Sequence, residues 1–361
     1  SRFAMFYSPE MSRKQMAYIL SRKYPIPGIE FADIEDLVEL NLTLERMMQD
    51  YVFEGFESER PYPLKMRNLE QIMLNTARRL GQKSNRLSAP EAMAKEAYIE
   101  YRDILRRSAK NIDLLRSTIK TMLGVEVADP DVSFKETDQV MDGIAFIHPE
   151  DEAGRDMGKV PGKEDIDLVL TESTREILLS ILYCFMTARR PGLLIGPPGT
   201  GKTEDVAYMA RLLGWQYHSE NMRDTPLSTL VGTWDRDART GIMTFKEGIL
   251  LKAMRYGWCL ALEEGNFIET GLLEVISEWI DEGTFINPKT HEEVPIHPDF
   301  RLFITLNPQN GKTRMSMSRN VLPGPFVNRC KVIWVNEKSR AEHEEILRTL
   351  LERAGIETSF V

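Results

Sequence analysis

The run Gly196-Pro-Pro-Gly-Thr-Gly201-Lys202-Thr203 holds the residue types that wrap a polyphosphate. Its glycines let successive backbone N–H groups turn toward one anion, and a following helix adds the positive end of its dipole. Gly196, Pro197, Pro198, Gly199, Thr200 and Gly201 would form the cradle. Lys202 would reach the β- and γ-phosphates and Thr203 would ligate Mg²⁺. The flanks suit that chemistry: Leu193-Leu194-Ile195 is an apolar strand, and Glu204 to Leu213 is amphipathic at helical spacing.

About sixty residues on, Trp258-Cys-Leu-Ala-Leu262 reads as a buried strand ending in Glu263-Glu264. Two carboxylates delivered beside a phosphate loop divide the work of a Walker B element. Glu263 would hold the metal's water shell and Glu264 would polarise the attacking water. The first position is commonly Asp; the extra methylene of Glu263 displaces the carboxylate by roughly an ångström, an error that can cost ~10²-fold in rate. A third strand, Arg301 to Leu306, ends in Asn307-Pro308. Asn307 either orients water against the γ-phosphate or serves the turn before the proline. Asn328-Arg329 precedes another strand, Val332 to Val335. Arg329 is a surface charge or a guanidinium offered to a neighbouring subunit's γ-phosphate.

The elements that must position these groups change in texture along the chain. From about Ser12 to Thr121 the pattern predicts helices, over Ile34 to Tyr51, Leu64 to Leu80 and Ala89 to Leu123, with Pro25, Pro27, Pro61 and Pro63 at the breaks. Residues 126–156 carry ten Asp and Glu against Lys135 and Arg155, which reads as a solvated linker or a partner-docking segment. From Asp165, short β runs alternate with helices, the α/β signature. Overall, 361 residues with 42% hydrophobic and 28% charged content suggest two or three globular domains. A net charge of −9 disfavours direct nucleic-acid binding through the chain's own field. Cys184, Cys259 and Cys330 lie far apart, which excludes a disulfide framework or sequence-evident zinc site and fits a reducing compartment. The longest apolar stretch, Ile177 to Met186, falls short of the ~20 residues of a membrane helix. The opening Ser1-Arg2-Phe3 resembles no signal or transit peptide, and the chain reads as a piece of something longer.

An internal repeat supports that. Laying residue 329 over residue 2, an offset of 327, aligns Arg2 with Arg329, Ser12-Arg13 with Ser339-Arg340, and Gly28-Ile29-Glu30 with Gly355-Ile356-Glu357. Both copies have an apolar run, then a capping box, Ser12-x-x-Gln15 and Ser339-x-x-Glu342. The ordered set predicts that the chain starts and stops at equivalent points of two successive modules, with Arg2 the counterpart of Arg329.

Together these motifs resemble the AAA+ ATPases, in their dynein-related and MoxR-like branch, and most closely those with tandem modules in one chain. Gly196 to Thr203, Leu230-Val-Gly232, Thr244-Phe-Lys-Glu-Gly248, Leu260 to Glu264, His297 to Pro308 and Phe326-Val-Asn-Arg329 carry the resemblance. It implies ATP with Mg²⁺, and an α/β doubly wound parallel sheet preceded by a mainly helical lid domain. Residues 1–115 would be the finger strand and lid of a preceding module, 116–165 an acidic linker, 166–338 the P-loop large domain and 339–361 the start of the following lid. Asn307 would be sensor 1, and Arg329 the finger acting on the next module. Arg67 matches the sensor 2 arginine, so Arg2 and Arg67 would serve the preceding module's nucleotide. An insert over 228–247, turning near Arg239-Thr-Gly241, and a hairpin over Thr284 to Ile296 also fit the branch. The implied activity is ATP hydrolysis coupled to remodelling, with neighbouring modules in a ring. The tandem reading brings protein assembly factors or pre-ribosomal particles as partners, in the nucleus. A MoxR-type reading implies a cytoplasmic chaperone ATPase. A structural ATP-binding module without turnover is the alternative that Glu263, the departure from the pattern, favours.

Overall fold

The strand Arg301–Leu306 lies hydrogen-bonded in parallel beside Gly192–Ile195, with Gly192 opposite Phe303 and Ile195 opposite Leu306. The strand leading into the phosphate loop and the strand leading to Asn307 are therefore neighbours. The computed structural model describes residues 11–55, 64–149, 159–236, 239, 241–307 and 322–356. Arg2, Pro308 and the first apolar run of the repeat lie outside them. The chain divides into two units, residues 1–129 and 130–361.

The first unit is helical: α1 (Arg13–Lys23), α2 (Phe31–Gln49), α3 (Met66–Gly81), α4 (Ala89–Leu105) and α5 (Ala109–Leu123). The Ser12 hydroxyl accepts from the Gln15 amide at 3.3 Å while the Gln15 side chain accepts from the Ser12 amide at 2.9 Å, so the predicted capping box opens α1. The single helix predicted over 89–123 is two. Ser108 caps α5 by accepting from the Lys110 amide, and Asn111 donates to the Leu105 carbonyl, so the chain turns where the pattern shows no break. The α3–α4 seam is polar: Arg79 donates to Glu96 at 2.5 Å and Asn68 to Glu100 at 2.9 Å, all four buried.

The second unit is built on a five-stranded sheet. Its small hairpin β1 (Val140–Met141) and β2 (Ile144–Ala145) precedes α6 (Glu172–Met186), β3 (Gly192–Ile195), α7 (Lys202–Leu213) and β4 (Tyr217–Asn221). Then come α8 (Leu227–Val231), β5 (Thr233–Arg236), β6 (Met243–Lys246), α9 (Ile249–Tyr256) and β7 (Cys259–Glu263). The unit continues with α10 (Thr270–Glu282), β8 (Arg301–Leu306), α11 (Gly324–Val327), β9 (Lys331–Trp334) and α12 (Arg340–Arg353). The main sheet runs β4-β7-β8-β3-β9, with every pairing parallel. Strands β3, β7 and β8 are buried almost throughout because helices cover them on both faces, which is why they read as continuous apolar runs. The β5–β6 hairpin occupies the expected insert, and an antiparallel bridge between Ile286 and Glu293 forms the expected hairpin before β8.

The two units divide at Asp129/Pro130, beyond α5, which carries its helical pattern through to Leu123 and is closed by left-handed Gly124. Within the segment over 126–156 that reads as a solvated linker or a partner-docking segment, Pro130 to Pro149 form a strap on the second unit. Arg175 donates to the Phe134 carbonyl at 2.8 Å, Glu136 pairs with Arg211 at 2.8 Å, and His148 bonds the Leu213 carbonyl at 3.0 Å. Acidic composition hid two aromatic anchors, Phe134 and Phe146, which meet edge to face. Helix α12 stays tied to the same unit, where Glu342 accepts from the Ser173 amide.

Phe303 sits fully buried at the centre of the sheet against Phe185. Phe303→Ala should cost about 3–5 kcal/mol in a urea melt of the second unit, because the stiff neighbouring strands cannot close over the void.

Candidate nucleotide site

The loop after β3 turns back on itself at Gly199 and Gly201, whose φ values of +76° and +88° suit glycine. It then delivers Lys202 as the first residue of α7. The Lys202 side chain is buried, and its Nζ donates to the Gly196 carbonyl at 2.8 Å, the Pro197 carbonyl at 2.6 Å and Asn307 Oδ1 at 3.1 Å. The sheet thus brings Lys202 and Asn307 together across 105 residues of chain. Every one of these partners is a neutral oxygen. A buried cation with no carboxylate in hydrogen-bonding reach among the described residues fits a polyanion, and burial depresses its pKa to about 8.

Glu263 closes β7, one strand beyond β8, so its backbone lies two inter-strand spacings, roughly 10 Å, from β3. Burial and the charge of Glu204 raise its pKa, an environment a divalent cation would relieve. Thr203 and Glu263 are the side chains that would hold Mg²⁺, which when bound neutralises charge on the transferring phosphoryl group. Glu264 stands in the left-handed region at φ 52°, ψ 50°. For a residue with a Cβ that costs about 1–2 kcal/mol, and it turns the side chain off the strand axis. Its Oε2 accepts from Arg223 Nε at 3.1 Å and Nη2 at 2.9 Å. Arg223 follows β4, lies 5.1 Å over the Phe267 ring and lines a cavity with Met222, Leu230 and Phe267.

Two other expected residues are placed elsewhere. Arg329 precedes β9, whose Lys331 is paired with Gly192, so it lies at the amino ends of the strands. The phosphate loop is at their carboxyl ends, on the order of 13 Å away along four-residue strands. Arg329 does not join its own unit's loop. Arg67 is the second residue of α3 in the first unit.

Sequence reasoning missed three residues. Arg223 and Asp281, the latter bound to Arg329, carry no sequence signal that separates them from surface charges. Asp205 is detectable in principle, as an acid on the apolar face of α7. It is 1% exposed, neither carboxylate oxygen has a hydrogen-bond partner among the described residues, and burial raises its pKa to about 8.

A parallel sheet with a phosphate loop at its switch point, paired carboxylates on the next strand but one, and an amide between them define a P-loop NTPase of the AAA+ type. Residues 191–322 match the family described as the AAA domain of the dynein-related subfamily. The chain is similar to midasin of Dictyostelium discoideum, 35% identical over 182 residues, and to midasin of Giardia intestinalis, 33% over 183. Each match covers 50% of this chain, but only 3% and 4% of those much longer proteins. A solved structure from Cytophaga hutchinsonii matches 48% of this chain and 48% of its own, at 20% identity and a TM-score of 0.35, too low to carry an argument.

The buried charges set a pH dependence. Lys202 loses its proton as pH rises through about 8, and Asp205 gains its negative charge over the same range. A bound polyphosphate favours charged Lys202 and neutral Asp205, so binding raises both pKa values and takes up protons. Nucleotide affinity should fall between pH 7 and 9, with proton uptake near pH 8 measurable by calorimetry in buffers of different ionisation enthalpy. Asp205→Asn should still bind and take up fewer protons.

Proposed function

We propose that the second unit is an ATP-hydrolysing module of a multi-module remodelling machine. The observation that carries this reading is the contact between Lys202 and Asn307 at 3.1 Å, which supports a phosphate-seeking role for the cation and a water-orienting one for the amide. Around it, Gly196 to Thr203 bind ATP, Thr203 and Glu263 hold Mg²⁺ through water, Glu264 polarises the attacking water and Asn307 orients it. Arg329, at the opposite end of the sheet, serves a neighbouring module's ATP in a ring. By the same logic Arg2 and Arg67 belong to the nucleotide site of a preceding module.

The similarity to two midasins, together with the repeat offset of 327 residues, supports a midasin-like role. That role is remodelling of protein assembly factors on large ribosomal subunit precursors in the nucleus. Contact with those particles runs through protein partners, consistent with the net charge of −9. No described helix is long and apolar enough to cross a membrane.

A second reading, a module that keeps ATP as a structural ligand, is favoured by two observations. Glu263 stands where a shorter acid is usual, and the Glu264 carboxylate is engaged by Arg223. The two readings separate in the assembled ring. If the module hydrolyses, Glu264→Gln lowers its ATP turnover about 10²-fold or more while nucleotide stays bound. Arg223→Ala, which releases Glu264, raises basal turnover severalfold. Retained, unhydrolysed ATP indifferent to Glu264→Gln establishes the structural ligand instead.

A further inference from the structure

Arg329 is held by three hydrogen bonds. Its Nε and Nη2 both donate to Asp281 Oδ2, at 2.9 and 2.6 Å, and its Nη1 donates to the Pro325 carbonyl at 2.7 Å. A guanidinium has five N–H donors. Asp281 takes the side-on edge, and among the described residues one hydrogen on each terminal nitrogen is left. The one on Nη2 points along the end-on edge, whose fork of two N–H groups matches two oxygens of a phosphate. A carboxylate meant to sequester the arginine would close that fork; Asp281 grips the other edge.

Both partners stand on fixed backbone. Arg329 is anchored through its amide to the Phe326 carbonyl at 2.9 Å, and Phe326 and Val327 are buried. Asp281 follows Trp279 and Ile280, both buried, in the last turn of α10. That turn ends Asp281-Glu282 with no basic residue before left-handed Gly283. Carboxylates there oppose the helix dipole, so the dipole gives no reason for Asp281 at this place. The side chains of Arg329 and Asp281 are 24% and 31% exposed, enough to reach an incoming group.

We propose that Asp281 is the positioning residue for Arg329: it holds the guanidinium by its side-on edge so that the end-on fork faces a neighbouring module's phosphate. The inference rests on Arg329 acting in trans, as proposed above. Asp281 never touches nucleotide. It fixes the direction of the residue that does, and removes the rotamer search an arginine would otherwise make in the transition state.

The test is steady-state ATP turnover of the assembled ring, with KM and thermal melting recorded for each variant. Asp281→Ala should lower kcat about 10- to 100-fold with KM and melting unchanged. Asp281→Asn, whose amide oxygen still accepts, should recover part of the loss and covers the case in which the alanine variant folds poorly. Arg329→Ala should lower kcat at least as far, and the double variant should match Arg329→Ala alone. Unchanged or raised kcat in Asp281→Ala, while Arg329→Ala is impaired, overturns the positioning role. Full turnover in Arg329→Ala overturns the finger reading itself, and the positioning role with it.

Discussion

Gly196 is wedged between two strands, and the site depends on that wedge. Its amide donates to the Leu306 carbonyl at 3.1 Å, while the amide of Val335 donates to the Ile195 carbonyl at 2.7 Å. A Cβ on Gly196 would stand 2.1 Å from the Val335 carbonyl oxygen, so no other residue fits. The phosphate loop therefore shares one frame with β8 and β9. Asn307 leaves β8 one residue after Leu306, which fixes its distance to Lys202. Strand β9 carries Arg329 at its other end. A close-packed sheet is stiff, so the loop and Arg329 are two ends of one solid piece rather than two independently mobile groups.

The phosphate loop, the paired glutamates and Asn307 were legible in the sequence because each needs a strand before it. Buried parallel strands are continuous apolar runs that few other elements imitate. The adjacency of β3 and β8 was legible only through the family resemblance; nothing in either strand states its neighbour. Arg223, Asp281 and Asp205 were not legible. Their significance lies in which residue they face, and that depends on loop paths after β4 and α10 that no local pattern encodes. The strap over 130–149 was misread for a different reason. Its acids outnumber its anchors, yet Glu136 is paired: Lys163 and Arg211 hold its pKa down at about 2. Charge count is a poor guide where cations wait on the surface it will cover.

The helical unit shows another way in which burial departs from a simple pattern. Arg79 with Glu96 and Arg106 with Asp103 are ion pairs with both members nearly inaccessible. Removing such charges from water costs several kcal/mol per ion, and their attraction offsets that only with good geometry. Replacing one member alone would take a partner from a buried charge, so these pairs restrict what sequence the helical unit tolerates. The apolar spacing that predicts α3 and α4 as helices is silent about this, because it records only where water is excluded.

The strap has a practical bearing on how this protein is divided. The composition changes near Asp165, and that is where a domain would naturally be excised for expression. Such a piece would lose Phe134, whose ring Arg175 covers at 5.4 Å, and Glu136, which pairs with Arg211 on α7. It would leave α7, the helix that begins with Lys202, with a bared basic and aromatic face and a tendency to associate. An excision at Pro130 keeps the unit whole.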